Sequence, residues 1–186
     1  MSQATISDGR RMSTAHCYLD PIKNRKNLKV SVNSHTTKLV LDNKRCKGVL
    51  YEIKGKQFQA NARNEVVISA GTINSPQILE ISGIGNPEIL RKIGIEINHV
   101  LPGVGQNLRD HYAPRTRWKI GTPGATYNDK AKGLGMMWQA MRYLITKRGM
   151  MGIPAAPMRA FIKTREGLDA PDGLLGWLPL LYDTNY

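Results

Sequence analysis

Between residues 28 and 61, apolar and polar positions alternate in short bursts. Leu28, Val30 and Val32 take turns with Lys29 and Ser31, the period of a half-buried strand. Lys38–Leu41, Lys47–Ile53 and Gln57–Ala60 read as three further short strands. Asp42-Asn43 and Lys54-Gly55-Lys56 stand between them and carry the residues that turns require. Val66-Val67-Ile68-Ser69 is continuous instead of alternating, which predicts a strand covered on both faces.

Dense backbone punctuation follows, in the stretch AGTINSPQILEISGIGNP from Ala70 to Pro87. Ala70-Gly71 allows a tight turn, and Asn74 or Ser75 can cap a helix whose first position is Pro76. Ile78, Leu79 and Ser82 would form its inner face, and Gly83 would stop it. Asn86-Pro87-Glu88 repeats the device, with the acid in the first turn where the dipole favours it. Ile89, Leu90 and Ile93 supply that helix with a buried stripe, and Gly94 ends it. A covered strand feeding a glycine turn and a helix is how α/β folds bring main chain close to a nucleotide. Glu96–Val100 reads as a short strand, followed by a second glycine knot, Leu101-Pro102-Gly103-Val104-Gly105-Gln106-Asn107-Leu108.

From Tyr112 the texture changes, and a domain boundary is placed there. Arg115–Ile120 alternates like a strand. Met136, Met137, Ala140, Met141, Leu144 and Ile145 recur at helical spacing, with Lys147-Arg148 at the C-terminal end and Gly149 after it, a stripe that reads as core. Arg159–Lys163 and Leu174–Leu180 read as two more strands.

Composition changes this picture little. A chain of 186 residues with 41% hydrophobic and 22% charged residues is globular and large enough for one domain or parts of two. Its net charge of +13 raises nucleic acid, an anionic surface or an acidic ligand as partners. The cations are scattered, however, and no RNP-like aromatic set, zinc spacing or helix-turn-helix accompanies them, so no nucleic-acid partner is expected. Cys17 and Cys46 stand far apart without metal spacing, which fits reduced thiols and no metal. The longest apolar run, Gly173–Leu181, is too short to span a bilayer, and the N-terminus lacks the apolar core of a signal peptide. The expected location is cytoplasmic, with peripheral membrane attachment as the alternative.

Isolated catalytic motifs are missing. Gly83-Ile84-Gly85 and Gly103-Val104-Gly105 each stop short of G-x-G-x-x-G, and P-loop spacing is absent. His16, His35, His99 and His111 have no triad context. No catalytic residue is assigned.

The combination of segments is more specific. Gly71 to Gly85, with Ser75-Pro76, Ile78-Leu79 and Ser82-Gly83-Ile84-Gly85 in place, resembles the second signature of the glucose-methanol-choline (GMC) family of flavin oxidoreductases. Gly9-Arg10-Arg11-Met12-Ser13-Thr14-Ala15, Tyr18-Leu19-Asp20-Pro21, Asn27-Leu28, Lys47-Gly48-Val49 and Asn64–Gly71 precede it in the family's order. Leu101-Pro102-Gly103-Val104-Gly105-Gln106-Asn107-Leu108-Arg109-Asp110-His111 follows and is similar to the family's Pro-Gly-Val-Gly-x-Asn-Leu-x-Asp-His segment. Beyond residue 112 the match is looser.

This resemblance implies an α/β (mixed α+β) chain. Residues 1–111 would form the C-terminal portion of an FAD-binding Rossmann-like domain, and 112–186 part of an antiparallel-sheet substrate domain. It implies an FAD-dependent dehydrogenase or oxidase acting on a small-molecule alcohol, with the electron acceptor open. Thr36 matches the position whose backbone meets the adenine, and Ala70-Gly71 match the turn beside the ADP part of FAD. Missing side-chain bulk at Gly71 would let main chain approach the cofactor, although ordinary turn duty would also call for glycine there. Gly83 and Gly85 read as turn and C-cap residues. His111 matches a histidine near the substrate side of the flavin, where it would line the pocket or hold the loop. Tyr112-Ala113-Pro114 offers no carboxylate for a quaternary ammonium, so simple choline is not the expected substrate.

Family members also carry an N-terminal G-x-G-x-x-G and a C-terminal histidine paired with histidine or asparagine. Neither is found in these 186 residues. The chain is therefore expected to be an internal piece of such an enzyme, inactive in isolation. The alternatives are a non-catalytic basic binding module on the same scaffold and a family lyase that uses the fold without redox chemistry.

Overall fold

The computed structural model describes residues 4–154 and 156–180. In chain order these form β1 (Ile6–Ser7), β2 (Arg10–Arg11), a π-helical turn (Ala15–Leu19), β3 (His35–Asp42), β4 (Arg45–Ile53) and β5 (Lys56–Asn61). Then come α1 (Gly71–Ile81), β6 (Ile84–Gly85), α2 (Pro87–Lys92), β7 (His99–Val100), α3 (Tyr127–Lys130) and α4 (Gly133–Thr146). A 3₁₀ turn (Met150–Gly152), β8 (Met158–Ile162) and β9 (Gly173–Trp177) complete the order. The fold is mixed α/β with antiparallel sheets and one short parallel pair, in two compact units: residues 29–113, and residues 1–28 together with 114–186.

In the first of these units, turn chemistry builds the sheet. Lys54 and Gly55 both have positive φ, +49° and +76°, and join paired residues Ile53 and Lys56 in the mirror-image turn that matches strand twist. Asn43, at φ +53°, serves the two-residue connection between paired Asp42 and Arg45. The resulting antiparallel order is β3-β4-β5, with Tyr51 stacked on its cross-strand partner Phe58 at 5.6 Å between ring centres. Helix α1 covers the free edge of β3: the Leu39 amide donates to Ser82 Oγ at 2.9 Å. The core of this unit holds Leu39, Leu90 and Val104, with Ser82 fully buried among them.

Strands β6 and β7 pair in parallel, Ile84 with His99 and Gly85 with Val100, across a crossover that contains α2. The second helix starts as expected: Asn86 Oδ1 accepts the Glu88 amide at 2.9 Å, Pro87 holds the first position, and Gly94 follows at φ +71°. Only Leu90 of its predicted stripe is fully buried; Ile89 and Ile93 are exposed.

Several expectations are corrected. Val66–Ser69 and Leu28–Val32 form no strand, and Val67 is 75% exposed. Strands exist through their ladders, and nothing among the described residues pairs with either run. Arg115–Ile120 likewise forms no strand, and the strand expected over Glu96–Val100 contracts to its last two residues. Helix α1 begins at Gly71, leaving Pro76 inside it.

In the other unit, β1 and β2 form a small hairpin with Asp8 and Gly9 at positive φ. Its tip meets the end of α4: Tyr143 donates its hydroxyl proton to the Gly9 carbonyl at 3.1 Å. Helix α3 opens on a capping box between Thr126 and Asp129, and β8 pairs antiparallel with β9. The apolar stripe of α4 does not form a core: no residue of the helix is buried.

Candidate cofactor site

Pro76 has no amide proton, so the carbonyl of Thr72, four residues back, loses its usual helical partner. Thr72, Ile73, Pro76, Gln77 and Glu80 recur on one face of α1. Facing them is the segment Gly105–Arg109, and the two enclose a groove of about 520 Å³. The opposite face of the helix is anchored. There the Ser82 hydroxyl donates to the Ile78 carbonyl at 2.6 Å while accepting the Leu39 amide.

The loop wall owes its shape to two residues at positive φ, Gly105 at +73° and Asn107 at +57°. A Cβ at Gly105 would stand 3.0 Å from Glu80 Oε1, so glycine allows the loop to lie close against the helix. Val104, buried, fixes the start of the segment, and the Leu101 amide holds to the Gly85 carbonyl at 2.9 Å. Arg109 has no ion-pair partner among the described residues and lines the open groove.

The residues singled out from sequence all belong to the compact unit 29–113, but only one pair adjoins the groove. Gly71 sits at φ +89° directly before Thr72, and a Cβ there would meet nothing within 4 Å. Backbone conformation, not crowding within this chain, demands glycine at that corner. Ala70 caps α1 without a side-chain bond, its amide donating to Ser75 Oγ at 3.0 Å. Thr36 is the second residue of β3, half-buried opposite Tyr51 and next to a bulge at Thr37. His111 is exposed, its amide donating to Asp110 Oδ1 at 2.7 Å. Neither Thr36 nor His111 lines the groove. Gly83 has the structural duty expected of it: φ is +80°, and a Cβ would stand 2.3 Å from the Glu96 carbonyl oxygen.

Gln77 and Glu80 carry no role in the sequence reading, and Gln106, Asn107 and Arg109 enter it only as part of a family segment. The available signal was the second glycine knot, which brings a polar run back against the helix that follows the first. The three carboxyls held below their usual range, Asp20, Asp129 and Asp172, all lie in the other unit. Among the described residues no cluster of His, Cys, Asp and Glu could hold a metal.

The groove fits part of a dinucleotide. Its volume is within the range of about 300–1,000 Å³ typical of small-molecule sites. The adjacent first turn of α1 contains no acidic residue and offers amides without intrahelical acceptors. A free guanidinium stands ready for an anionic oxygen, and the glycines leave main chain uncovered.

Comparison with known proteins identifies the family. The GMC oxidoreductase family profile matches residues 1–113. An oxygen-dependent choline dehydrogenase of Chromohalobacter salexigens is 36% identical over 185 residues, covering all of this chain and 33% of that protein. The mitochondrial choline dehydrogenase of Mus musculus is 35% identical over 175 residues, covering 94% of this chain and 29% of that protein. The chain thus spans about a third of the length of the curated relatives it matches. Among solved structures, a formate oxidase superposes with a TM-score of 0.72 at 26% identity, covering 84% of this chain and 27% of that one. An FAD-dependent oxidoreductase from Chaetomium thermophilum gives 0.68 at 25%, covering 78% and 26%. The chain belongs to the GMC oxidoreductase family.

Proposed function

We propose that this chain forms part of an FAD-dependent enzyme that oxidises the CH–OH group of a small alcohol to an aldehyde or ketone, and that it supplies one wall of the dinucleotide site. The observation that carries the reading is the groove between α1 and Gly105–Arg109, which opens beside the positive-φ corner at Gly71. Bound FAD supplies the hydride acceptor. The residues of this chain bind and orient: Arg109 takes an anionic oxygen, and Glu80 with the freed Thr72 carbonyl accepts hydroxyl protons. The main chain at Thr36 and Ala70-Gly71 lies against the adenosine half. His111 serves the substrate side. The functional boundary is assigned at 111/112, with the flavin side before it and the substrate side after.

No proton acceptor for the alcohol is assigned within residues 1–186, and the isolated chain is expected not to bleach flavin when an alcohol is added. The relatives' names make choline the first alcohol to assay in the longest polypeptide carrying this sequence. The absence of a carboxylate at Tyr112-Ala113-Pro114 predicts that choline is not the preferred one.

Calorimetric titration of residues 1–186 with FAD and with ADP tests the binding role. Both should bind in mutual competition, and Arg109→Gln should weaken each about tenfold, as expected for loss of a charge-assisted hydrogen bond. Failure of ADP to compete, or indifference of both ligands to Arg109→Gln, would overturn the assignment.

A further inference from the structure

The run Lys130–Met150 contains Lys130, Lys132, Arg142, Lys147 and Arg148 and no acidic residue. Helix α4 lies inside it and has two distinct faces. Met136, Gln139, Ala140 and Tyr143 share one, which Tyr143 ties to the β1–β2 hairpin through the Gly9 carbonyl. Leu134, Met137, Trp138, Met141, Leu144 and Ile145 share the other, at the one-, three- and four-residue steps that keep side chains on a single stripe. All six are exposed, from 52% at Met141 to 82% at Leu134. Six large apolar side chains in one solvated stripe mark an interaction surface.

Charge decides what fits it. Lys130 and Lys132 precede the helix, Arg148 follows it, and Arg142 borders the stripe, while Lys147 Nζ stands 5.1 Å from the Tyr143 ring centre on the opposite face. The nearest carboxylate in sequence, Asp129, is engaged by the Thr126 amide and hydroxyl at 3.2 and 2.8 Å and feels Lys132 only as a weaker, through-space attraction. No ion pair neutralises any of the five cations among the described residues. At 14 residues the helix is about 21 Å long, short of the roughly 30 Å of a bilayer core, and no described helix is long and apolar enough to cross a membrane. Such a helix can lie in the interface plane, its apolar face at the acyl boundary and its cations among anionic headgroups.

We infer that α4 is an interfacial helix which lays Leu134, Trp138, Met141 and Ile145 into an anionic lipid surface, with Lys130, Lys132 and Arg148 on the headgroups. This docking is independent of the flavin reading and uses no residue of the groove.

The test is co-sedimentation of residues 1–186 with vesicles of phosphatidylcholine alone, or with one part in three replaced by phosphatidylglycerol. Binding should require the anionic lipid and fall steeply with salt. Lys130→Gln with Lys132→Gln should weaken it by about tenfold or more, since each cation near such a surface contributes roughly fivefold. Leu134→Glu with Trp138→Glu should abolish it, whereas Trp118→Glu, at a site 84% exposed but outside the helix, should leave it intact. Circular dichroism of each variant separates loss of docking from loss of fold. Equal binding to both vesicle types, equal loss with Trp118→Glu, or a concentration-dependent dimer broken by Leu134→Glu would each overturn the inference, the last by assigning the stripe to a second copy.

Discussion

The amide of Leu39 donates to the hydroxyl oxygen of Ser82 at 2.9 Å, across 43 residues of chain. Both residues are buried, Ser82 completely. The same hydroxyl donates to the Ile78 carbonyl at 2.6 Å, and the Ser82 carbonyl accepts from Asn98 Nδ2 at 3.0 Å. One side chain thus closes the edge of the three-stranded sheet, while its backbone receives the segment that leads into β7. The helix wall of the groove is held from behind by this serine.

Replacing Ser82 with alanine would leave the Leu39 amide buried without an acceptor. The expected loss is about 1–3 kcal/mol of unfolding free energy, measured by denaturant titration of residues 1–186. Amide exchange at Leu39 should accelerate more than at Leu50, which lies in the interior of the same sheet. Unchanged stability would mean that the edge of β3 does not depend on Ser82.

Two glycines at similar φ should respond differently. Gly71→Ala meets only conformational strain, because the space around it is open, and should cost about 1–2 kcal/mol. Gly83→Ala adds collision with the Glu96 carbonyl and Asn98 Nδ2, at 2.3 and 2.6 Å, and Asn98 is held in place by its bonds to the Gly83 and Ser82 carbonyls. It should cost about 3 kcal/mol or more, seen as the lower midpoint of the two in parallel melts.

What could be read in advance tracks how local the physics is. The hairpins of β3-β4-β5 and the Asn86-Pro87 cap were legible because two to four neighbouring residues determine each. Val66–Ile68 has the composition of a covered strand, but composition names no partner, and none of the described residues supplies one. Ser75-Pro76 looked like a helix start. Instead the Ser75 hydroxyl accepts from Ala70, and the helix tolerates the proline in its sixth position at the cost of one hydrogen bond. The Met-rich face of α4 shows that periodicity reveals which side chains share a stripe but not what meets them. The glycine corner at Gly71 was visible from its neighbours. The opposing wall at Gln106–Arg109 depends on a tertiary return of the chain, which the second glycine knot signals as a turn without naming what the chain turns back against.

The cap of α2 offers a cleaner local test. Asn86→Ala removes the acceptor of the Glu88 amide and should destabilise by about 1 kcal/mol. Asn86→Asp should retain most of the stability, because a carboxylate accepts the same proton and complements the helix N-terminus. Equal losses from both would place the role of Asn86 elsewhere than the cap.

Asp172 provides the pH prediction. Its carboxylate accepts the Thr164 hydroxyl at 2.6 Å and the Thr164 amide at 2.8 Å, and the hydroxyl bond first, then the amide bond, hold its pKa below the ordinary carboxylate value. A depressed folded-state pKa stabilises the connection between β8 and β9 in full above the ordinary value of about 4. That contribution fades as pH falls through the lowered one, when the protonated acid loses its acceptor charge. Amide exchange at Thr164, corrected for intrinsic rates, should therefore be slow and flat above about pH 5 and quicken on acidification. In Asp172→Asn protection should be weaker throughout and independent of pH in this range. A wild-type profile as flat as the variant's would show that the carboxylate's charge plays no part in closing the loop.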